Sequence, residues 1–219
     1  MTAQVATAPD VQAKVEEQLV KSRHRVKTYG EVLTPRHMVD RMLDLVQKDL
    51  ECVDSTFLEP SAGDGNFLIA ILERKLQAIE RSYPYGKWPE ASLFALASIY
   101  GIELLEDNHK DAKLLMLSTF LRFHKEREVP CGPRTSLYRS AAFLIDTNVV
   151  RGNTLTGLDW RASEIQLSWW HRVEGLPGMV QREPFTFSSL REGALDFNVY
   201  PDYEPCPIEE VHEQGGSNG

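Results

Sequence analysis

The chain has 219 residues, a formal net charge of −8, 42% hydrophobic residues and 26% charged residues. This composition is that of a globular protein with a substantial core, and it disfavours a disordered chain, a membrane span or tight DNA binding by the isolated chain. The first ten residues lack the basic start and apolar centre of a signal peptide. Three widely spaced cysteines, Cys52, Cys131 and Cys206, form neither a metal motif nor an obvious disulfide framework, so we expect a cytoplasmic protein.

Residues 1–27 predict an N-terminal extension, with a helix over Val11 to Val26 and a basic run over residues 21–27. The basic run could contact the phosphate groups of DNA. A solvated helix end explains the same residues without any nucleic acid. The sequence leaves both explanations open.

Residues 28–190 predict a single domain in which β-strands and α-helices alternate. The domain opens with the segment Tyr29-Gly30-Glu31-Val32-Leu33-Thr34-Pro35, which is followed by a predicted helix over residues 36–49. Thr34 is suited to the N-cap of that helix, and Pro35 is suited to its first position, where a missing N–H has no consequence.

The most informative stretch is Thr56 to Leu68, which predicts a short apolar strand, a loop of small residues and the start of a helix. Gly63 and Gly65 provide the positive φ and the bare backbone that such a turn needs, so a ligand can approach the main chain there. Glu59 at the end of the strand and Asp64 within the loop would repel a pyrophosphate group. The two carboxylates suit a ligand with a cationic amino group and hydroxyls, such as S-adenosylmethionine (SAM).

Ser98 to Glu103 predicts a second strand that ends in a carboxylate, which in a doubly wound sheet would accept hydrogen bonds from ribose hydroxyls. Residues 81–92, between the two strands, are rich in Pro, Gly and aromatic residues and predict a surface insertion. A long helix over Leu104 to Arg127 follows. Its two histidines, His109 and His124, have no partner at metal-ligand spacing and are expected at the surface.

Four segments in this order resemble the amino-methylating DNA methyltransferases, specifically the N6-adenine class with the cofactor motifs on the N-terminal side. The segments are residues 29–35, 57–68, 100–104 and 148–155, the last of which follows a short predicted helix over residues 139–145. The resemblance implies a Rossmann-like class I methyltransferase fold, an α/β protein with a central, mostly parallel sheet and helices on both faces. It also implies SAM as the cofactor and DNA as the substrate.

The resemblance further implies which residues bind the cofactor. These residues are Tyr29, Thr34, Pro35, Glu59, Ala62, Gly63, Asp64, Gly65, Phe67, Glu103 and Asn153. By the resemblance, Asn153 would hydrogen-bond the adenine amino group of SAM. The alternative for Asn153 is a turn residue that is present for its backbone tolerance.

The family's catalytic motif is a polar residue followed by Pro-Pro and an aromatic residue, and this chain contains no Pro-Pro dipeptide. In the family that motif accepts the hydrogens of the target amine while its aromatic ring stacks on the flipped base. The candidates at the corresponding place are Ser168, Trp169 and Trp170. The alternative is a β-hairpin of residues 165–173 and 179–187, in which one tryptophan packs in the core and the other covers an edge.

Residues 191–219 carry seven acidic residues and no Lys or Arg after Arg191, and they predict an acidic, mostly extended or flexible tail. Three functions follow, in order of preference. The first is a SAM-dependent DNA methyltransferase of the adenine-N6 type, acting in DNA modification or restriction protection. The second is a catalytically degenerate SAM-binding subunit or regulator of such a system, and the third is a methyltransferase for a small molecule, RNA or protein. A protein partner could supply sequence recognition.

Overall fold

The computed structural model describes residues 20–191, 193 and 203–217. The helices are α1 (Arg23–Tyr29), α2 (Arg36–Asp44), α3 (Gln47–Glu51), α4 (Asn66–Ser82), α5 (Trp88–Ala97), α6 (Glu106–Glu126), α7 (Ser136–Asn148) and α8 (Phe187–Arg191). The strands are β1 (Phe57–Glu59), β2 (Ile99–Glu103), β3 (Val149–Asn153), β4 (Leu158–Asp159), β5 (Gln166–Arg172), β6 (Met179–Thr186) and β7 (Cys206–Pro207). Two 3₁₀ segments cover Tyr85–Lys87 and Ile208–Ser217. Within these ranges, none of the helices combines the length and apolar character that crossing a bilayer requires.

The main sheet has four strands in the order β1-β2-β3-β4, and its first three strands are parallel. Only β4 runs antiparallel, beside β3. Parallel strands need long crossover connections, and α4 to α7 lie in the two connections that join β1 to β2 and β2 to β3. The expected α/β class with a mostly parallel sheet is therefore confirmed.

The two faces of this sheet are covered differently. On one face, a Cβ added to Gly101 of β2 would lie 2.7 Å from Leu68 Cδ1, so α4 packs directly on the strand backbone. On the opposite face, a Cβ on Gly152 would lie 2.5 Å from Ile165 Cδ1, beside the start of β5. The antiparallel hairpin β5–β6 packs on this second face, where Trp169 also stacks on Tyr100 of β2.

A buried lysine fixes the start of β1. Lys75 of α4 is fully buried, and its ammonium group donates hydrogen bonds to three backbone carbonyls of the segment before β1 and to Ser98 Oγ at the start of β2. A buried ammonium is tolerated only when such acceptors surround it. The lysine ties the entry of β1 to the entry of β2 and so aligns the two strand ends at the other edge of the sheet.

Several helix predictions need correction near the N-terminus. The part of the leading helix that the structure describes runs from Arg23 to Tyr29 rather than ending at Val26, and residues 11–19 lie outside the described ranges. The single helix over residues 36–49 is two helices, α2 and α3. The N-cap of α2 is Pro35 and not Thr34, and no side chain caps this helix.

The predicted surface insertion over residues 81–92 is confirmed only in part. Residues 84–87 are exposed, whereas the end of the range belongs to α5, which is buried over Ala91 to Ala97 against the neighbouring helices. Trp88 packs against Phe123 and donates its indole hydrogen to the carbonyl of Tyr83. The helix α7 is likewise longer than predicted, because Thr135 caps it by accepting a hydrogen bond from the amide of Tyr138.

The C-terminal segment is also more ordered than predicted over residues 203–217. Ile208 and Val211 are buried against α7, where Ser140 Oγ donates a hydrogen bond to the carbonyl of Glu209. Cys206 pairs with Val180 of β6 in the sheet that contains the hairpin. The prediction of a flexible tail is wrong for this part, and residues 194–202 lie outside the described ranges.

Candidate functional site

A cavity of about 520 Å³ lies at the carboxyl ends of β1, β2 and β3. In open parallel sheets this edge is the usual place for a ligand, and the volume is within the usual range for ligand sites. The cavity is lined by nine of the predicted cofactor residues, Tyr29, Thr34, Glu59, Ala62, Gly63, Asp64, Phe67, Glu103 and Asn153. Pro35 and Gly65 are not among its lining residues.

The glycine loop between β1 and α4 is held by its two glycines for different reasons. Gly63 has φ +57° and lines the cavity, so its bare backbone is available to a ligand. Gly65 has φ +98°, and a Cβ there would lie 2.9 Å from Ala112 Cα of α6. Gly65 therefore serves the contact between the loop and α6, which corrects its expected role in touching the cofactor.

Glu103 connects the end of β2 to the glycine loop. Its side chain is 5% exposed, and its two carboxylate oxygens accept hydrogen bonds of 2.8 Å from the amides of Gly63 and Leu105. Because these donors are backbone groups, the carboxylate sets the distance between the loop and the strand end. Oε1 also accepts a longer hydrogen bond of 3.4 Å from Asn108 Nδ2, so the remaining lone pair, on Oε2, is available to a hydroxyl donor in the cavity.

Two further carboxylates at the cavity, those of Glu59 and Asp64, are partly buried. Burial raises the pKa of Glu59 and of Asp64 above their ordinary values, and for Asp64 the nearby Lys21 charge opposes this effect. The Oδ1 atom of Asp64 is buried and has no hydrogen-bond partner among the described residues. A buried carboxylate oxygen without a donor is costly, so a bound donor or cation would stabilise it.

The charge of the cavity is one-sided. Its lining contains four carboxylates, those of Glu31, Glu59, Asp64 and Glu103, and includes no Lys or Arg. Of the four, Glu31 is paired with Arg25, which lies outside the lining. Such a cavity repels phosphate groups and attracts a ligand that carries positive charge and hydroxyl donors.

Two of the four Lys and Arg side chains in the basic run of the N-terminal extension are paired with acidic neighbours, whereas Arg23 and Lys27 are exposed. Arg25 pairs with both oxygens of Glu31 and with Asp107, and Lys21 Nζ lies 2.9 Å from Asp111 Oδ2. Lys21 and Arg25 therefore hold the segment before α2 against α6 rather than presenting charge to DNA.

The same contacts position the segment that closes one side of the cavity. Glu31 Oε1 accepts a hydrogen bond of 2.6 Å from Asn108 Nδ2, and Asn66 Nδ2 donates to the carbonyl of Thr34 at 3.3 Å. Tyr29 and Val32, which are 51% and 59% exposed, line the cavity from this segment. The sequence did not single out Glu31 or Asn108, although each lies next to or near a predicted site residue.

Asn153 lies in a tight turn at the third strand end. Its Oδ1 accepts a hydrogen bond of 2.9 Å from the amide of Leu155, as a turn residue does. The hydroxyl of Thr154 donates to the carbonyl of Pro60 at 3.0 Å and joins this turn to the glycine loop. Leu104 and Leu155, 42% and 86% exposed, add apolar surface to the cavity. In the sequence, Leu104 directly follows the predicted site residue Glu103, and Leu155 lies two residues after the predicted site residue Asn153.

The three catalytic candidates do not line this cavity. Ser168 and Trp170 are buried in the hairpin, where Ser168 Oγ accepts a hydrogen bond from Arg182 and Trp170 donates its indole hydrogen to Asn148 Oδ1 at 2.8 Å. Trp169 stacks on Tyr100 on the face of the sheet that the hairpin covers. The hairpin alternative explains all three residues, so we assign them to packing and withdraw their catalytic role.

Comparisons with models of protein families, with curated proteins and with solved structures found no match to this chain. Among the described residues, no group of three or more His, Cys, Asp and Glu side chains is arranged to hold a metal ion. His124, expected at the surface, is fully buried beside Ser92 and does not approach the cavity. The function of the cavity must therefore be inferred from its own lining.

Proposed function

We propose that this chain binds SAM in the cavity and acts in DNA methylation, as a methyltransferase of the adenine-N6 type with a Rossmann-like class I fold. The observation that carries the proposal is a cavity at the strand ends with four carboxylates, no basic side chain and a glycine loop on one wall. SAM has a sulfonium, an ammonium and two ribose hydroxyls, and these groups match such a lining. A dinucleotide cofactor would bring its pyrophosphate against the same carboxylates.

Each part of SAM has a matching group in the proposed complex. A ribose hydroxyl donates to Glu103, which already accepts two backbone hydrogen bonds and is fixed in place. The adenine ring lies between the exposed side chains of Leu104 and Leu155, next to Asn153. The cationic end lies near Asp64, whose buried Oδ1 lacks a partner among the described residues.

The methyl acceptor needs groups that the described residues do not bring to the cavity. With Ser168, Trp169 and Trp170 assigned to packing, we infer that another part of the protein or a partner chain activates the target amine. Among the described residues β1 is an edge strand and offers a place for such a chain. Phe57 donates its amide hydrogen to the carbonyl of Ser98, which directly precedes β2, so the alternate residue Leu58 directs its backbone groups away from β2.

A second candidate function follows from the same observation. A SAM-binding subunit or regulator of a modification system would need the cavity but not the acceptor groups. Transfer of a radiolabelled methyl group from SAM to mixed-sequence DNA separates the two functions. Transfer by the chain, alone or with a partner, supports the methyltransferase, whereas SAM binding with no transfer under either condition supports the regulatory subunit.

Isothermal titration calorimetry with SAM tests the cofactor. We expect saturable binding of SAM and no binding of NAD⁺ at the same concentration, because NAD⁺ carries a pyrophosphate. Asp64→Asn should weaken SAM binding about tenfold through loss of a charge-assisted contact. As a matched control, Asp54→Asn removes an exposed carboxylate that lies outside the cavity and should leave SAM affinity unchanged. No heat and no melting shift at millimolar SAM, or equal affinity of the Asp64 variant, would exclude the proposed site.

A further inference from the structure

An exposed tryptophan lies on the edge of the sheet next to the cavity. Trp160 follows β4 directly and is 60% exposed, which is unusual for so large an aromatic side chain. Two guanidinium groups lie over its ring, that of Arg161 at 4.4 Å and that of Arg151 at 5.9 Å from the ring centroid. Trp160 is not among the residues that line the cavity.

The position of Trp160 is fixed relative to the cavity. In the pairing of β3 with β4, Gly152 lies opposite Asp159 and Asn153 lies opposite Leu158. Gly152 and Asn153 line the cavity, so Trp160 directly follows a strand that is paired with the cavity wall. A third arginine, Arg191, reaches the same turn and donates to the carbonyls of Thr154 and Leu155 at 3.4 Å.

The charges around Trp160 are only partly neutralised. Arg161 and Arg191 form no ion pair among the described residues, whereas Arg151 shares Glu106 with Lys110. Two acidic residues, Asp159 and Glu164, lie nearby, and both accept hydrogen bonds from neighbouring residues. Asp159 accepts hydrogen bonds from the amides of Arg161 and Ser163, and Glu164 accepts one from Ser188 Oγ. The surface therefore presents guanidinium donors, with these acids nearby, beside a tryptophan that is 60% exposed.

We infer that Trp160, together with Arg151, Arg161 and Arg191, forms a platform on which an unpaired base of a DNA strand stacks while the arginines contact its phosphates. An exposed ring accepts the face of any base, but a base inside a duplex is already stacked and cannot reach it. Guanidinium groups bind phosphate oxygens with two hydrogen bonds. The choice of DNA rests on the proposed function, whereas the stacking rests on the geometry of Trp160 alone.

The platform predicts a particular order of affinities. The net charge of −8 opposes the backbone of DNA, so binding should be weak. Binding should also fall with added salt, because the contacts between arginines and phosphates release counterions. A single strand should bind more tightly than its duplex, because only the single strand offers free bases. Base identity should matter little, since every base has a flat face.

Fluorescence anisotropy with a labelled 12-nucleotide DNA at low salt tests the platform. We expect Trp160→Leu to weaken binding of the single strand about tenfold, and Trp160→Phe, which keeps a ring, to retain affinity within about threefold. Arg161→Gln should also weaken binding. As a matched control, Arg134→Gln removes an exposed arginine on the loop before α7 and should have no effect. Unchanged melting temperatures would show that each variant folds.

Three outcomes would overturn the inference. They are equal affinity of Trp160→Leu and the unaltered protein, duplex binding as tight as that of the single strand, and an equal loss in the Arg134 control. A preference for RNA of the same sequence would overturn the assignment to DNA. SAM titrations of Trp160→Leu separate this inference from the proposed function, because loss of the platform should leave SAM affinity unchanged, and absence of SAM binding would not affect the anisotropy result.

Discussion

Gly65 and Ala112 bring the glycine loop and α6 into backbone contact. A Cβ on Gly65 would lie 2.9 Å from Ala112 Cα and 3.0 Å from Ala112 Cβ, and its φ of +98° is unfavourable for any other residue. The sequence predicted that Gly65, like Gly63, leaves the main chain open to a ligand. The structure instead places the added atom against a helix backbone that has little room to move.

Gly65→Ala should therefore lower the free energy of unfolding by about 2–4 kcal/mol, the sum of a left-handed backbone cost and a packing clash. Urea denaturation measures this change. Gly175→Ala is the matched control, because Gly175 has φ +75° and nothing lies within 4 Å of the added atom, so only the backbone cost of about 1 kcal/mol applies. Equal losses in the two variants would contradict the contact with α6.

Glu103→Gln should lower both stability and SAM affinity. One carboxylate oxygen becomes an amide nitrogen, which cannot accept the hydrogen bond from the amide of Gly63 or Leu105. We expect a loss of about 1–3 kcal/mol in unfolding free energy and at least tenfold weaker SAM binding by calorimetry. Glu106→Gln, at a 52% exposed side chain, is the comparison that should change neither by much. Native-like unfolding of the Glu103 variant would mean that this carboxylate does not hold the loop.

Asn153 can be tested for its two roles separately. Asn153→Ala removes the turn hydrogen bond to the amide of Leu155 and should cost about 1 kcal/mol of stability, together with several-fold weaker SAM binding. Asn153→Asp keeps an acceptor for that amide and should restore the stability. Calorimetry and thermal melting distinguish the cases. If Asn153→Ala melts earlier but binds SAM as tightly as before, Asn153 is a turn residue only.

Trp170→Phe should destabilise the protein without affecting SAM. The change removes the indole donor to Asn148 Oδ1 and leaves that oxygen buried without it, at a cost of about 1–3 kcal/mol. The same exchange at the exposed Trp160 should change the unfolding free energy by less than about 0.5 kcal/mol. A Trp170→Phe protein with normal stability and weakened SAM binding would return this residue to the site.

His124 predicts a loss of stability in mild acid. Burial lowers the pKa of His124 to about 4 in the folded protein, whereas the pKa of a histidine in the unfolded chain lies near its ordinary value of 6.5. Below pH 6.5 the unfolded chain takes up the proton first, so stability falls as the pH drops from 6.5 towards 4, by up to about 3 kcal/mol. Urea denaturation at pH 7 and pH 5 measures this slope. His124→Gln should flatten it, and His24→Gln, at an exposed position on α1, should not. A slope that survives the His124 exchange would have another origin.

The sequence by itself determined the features that depend on neighbouring residues. Gly63 is needed for a positive φ, and the strands before Glu59 and Glu103 are short apolar runs that end in an acid. The hairpin likewise follows from two strand-like segments around a Gly- and Pro-containing turn. These are local preferences of backbone and side chain, so they can be recognised before any tertiary contact is known.

Only the tertiary structure decided what each apolar surface packs against. The sequence predicted a long helix in the region of α6, but not that Ala112 meets Gly65 or that His124 is buried beside Ser92. Trp88 lies among prolines and aromatic residues that are typical of a surface loop, and its packing against Phe123 is visible only in the structure. The hairpin packs on a sheet face through two contacts. Trp169 stacks on Tyr100, and Ile165 occupies the space that a side chain at Gly152 would need. Such pairings join residues far apart in the chain, and the pattern of one segment does not contain the shape of its partner.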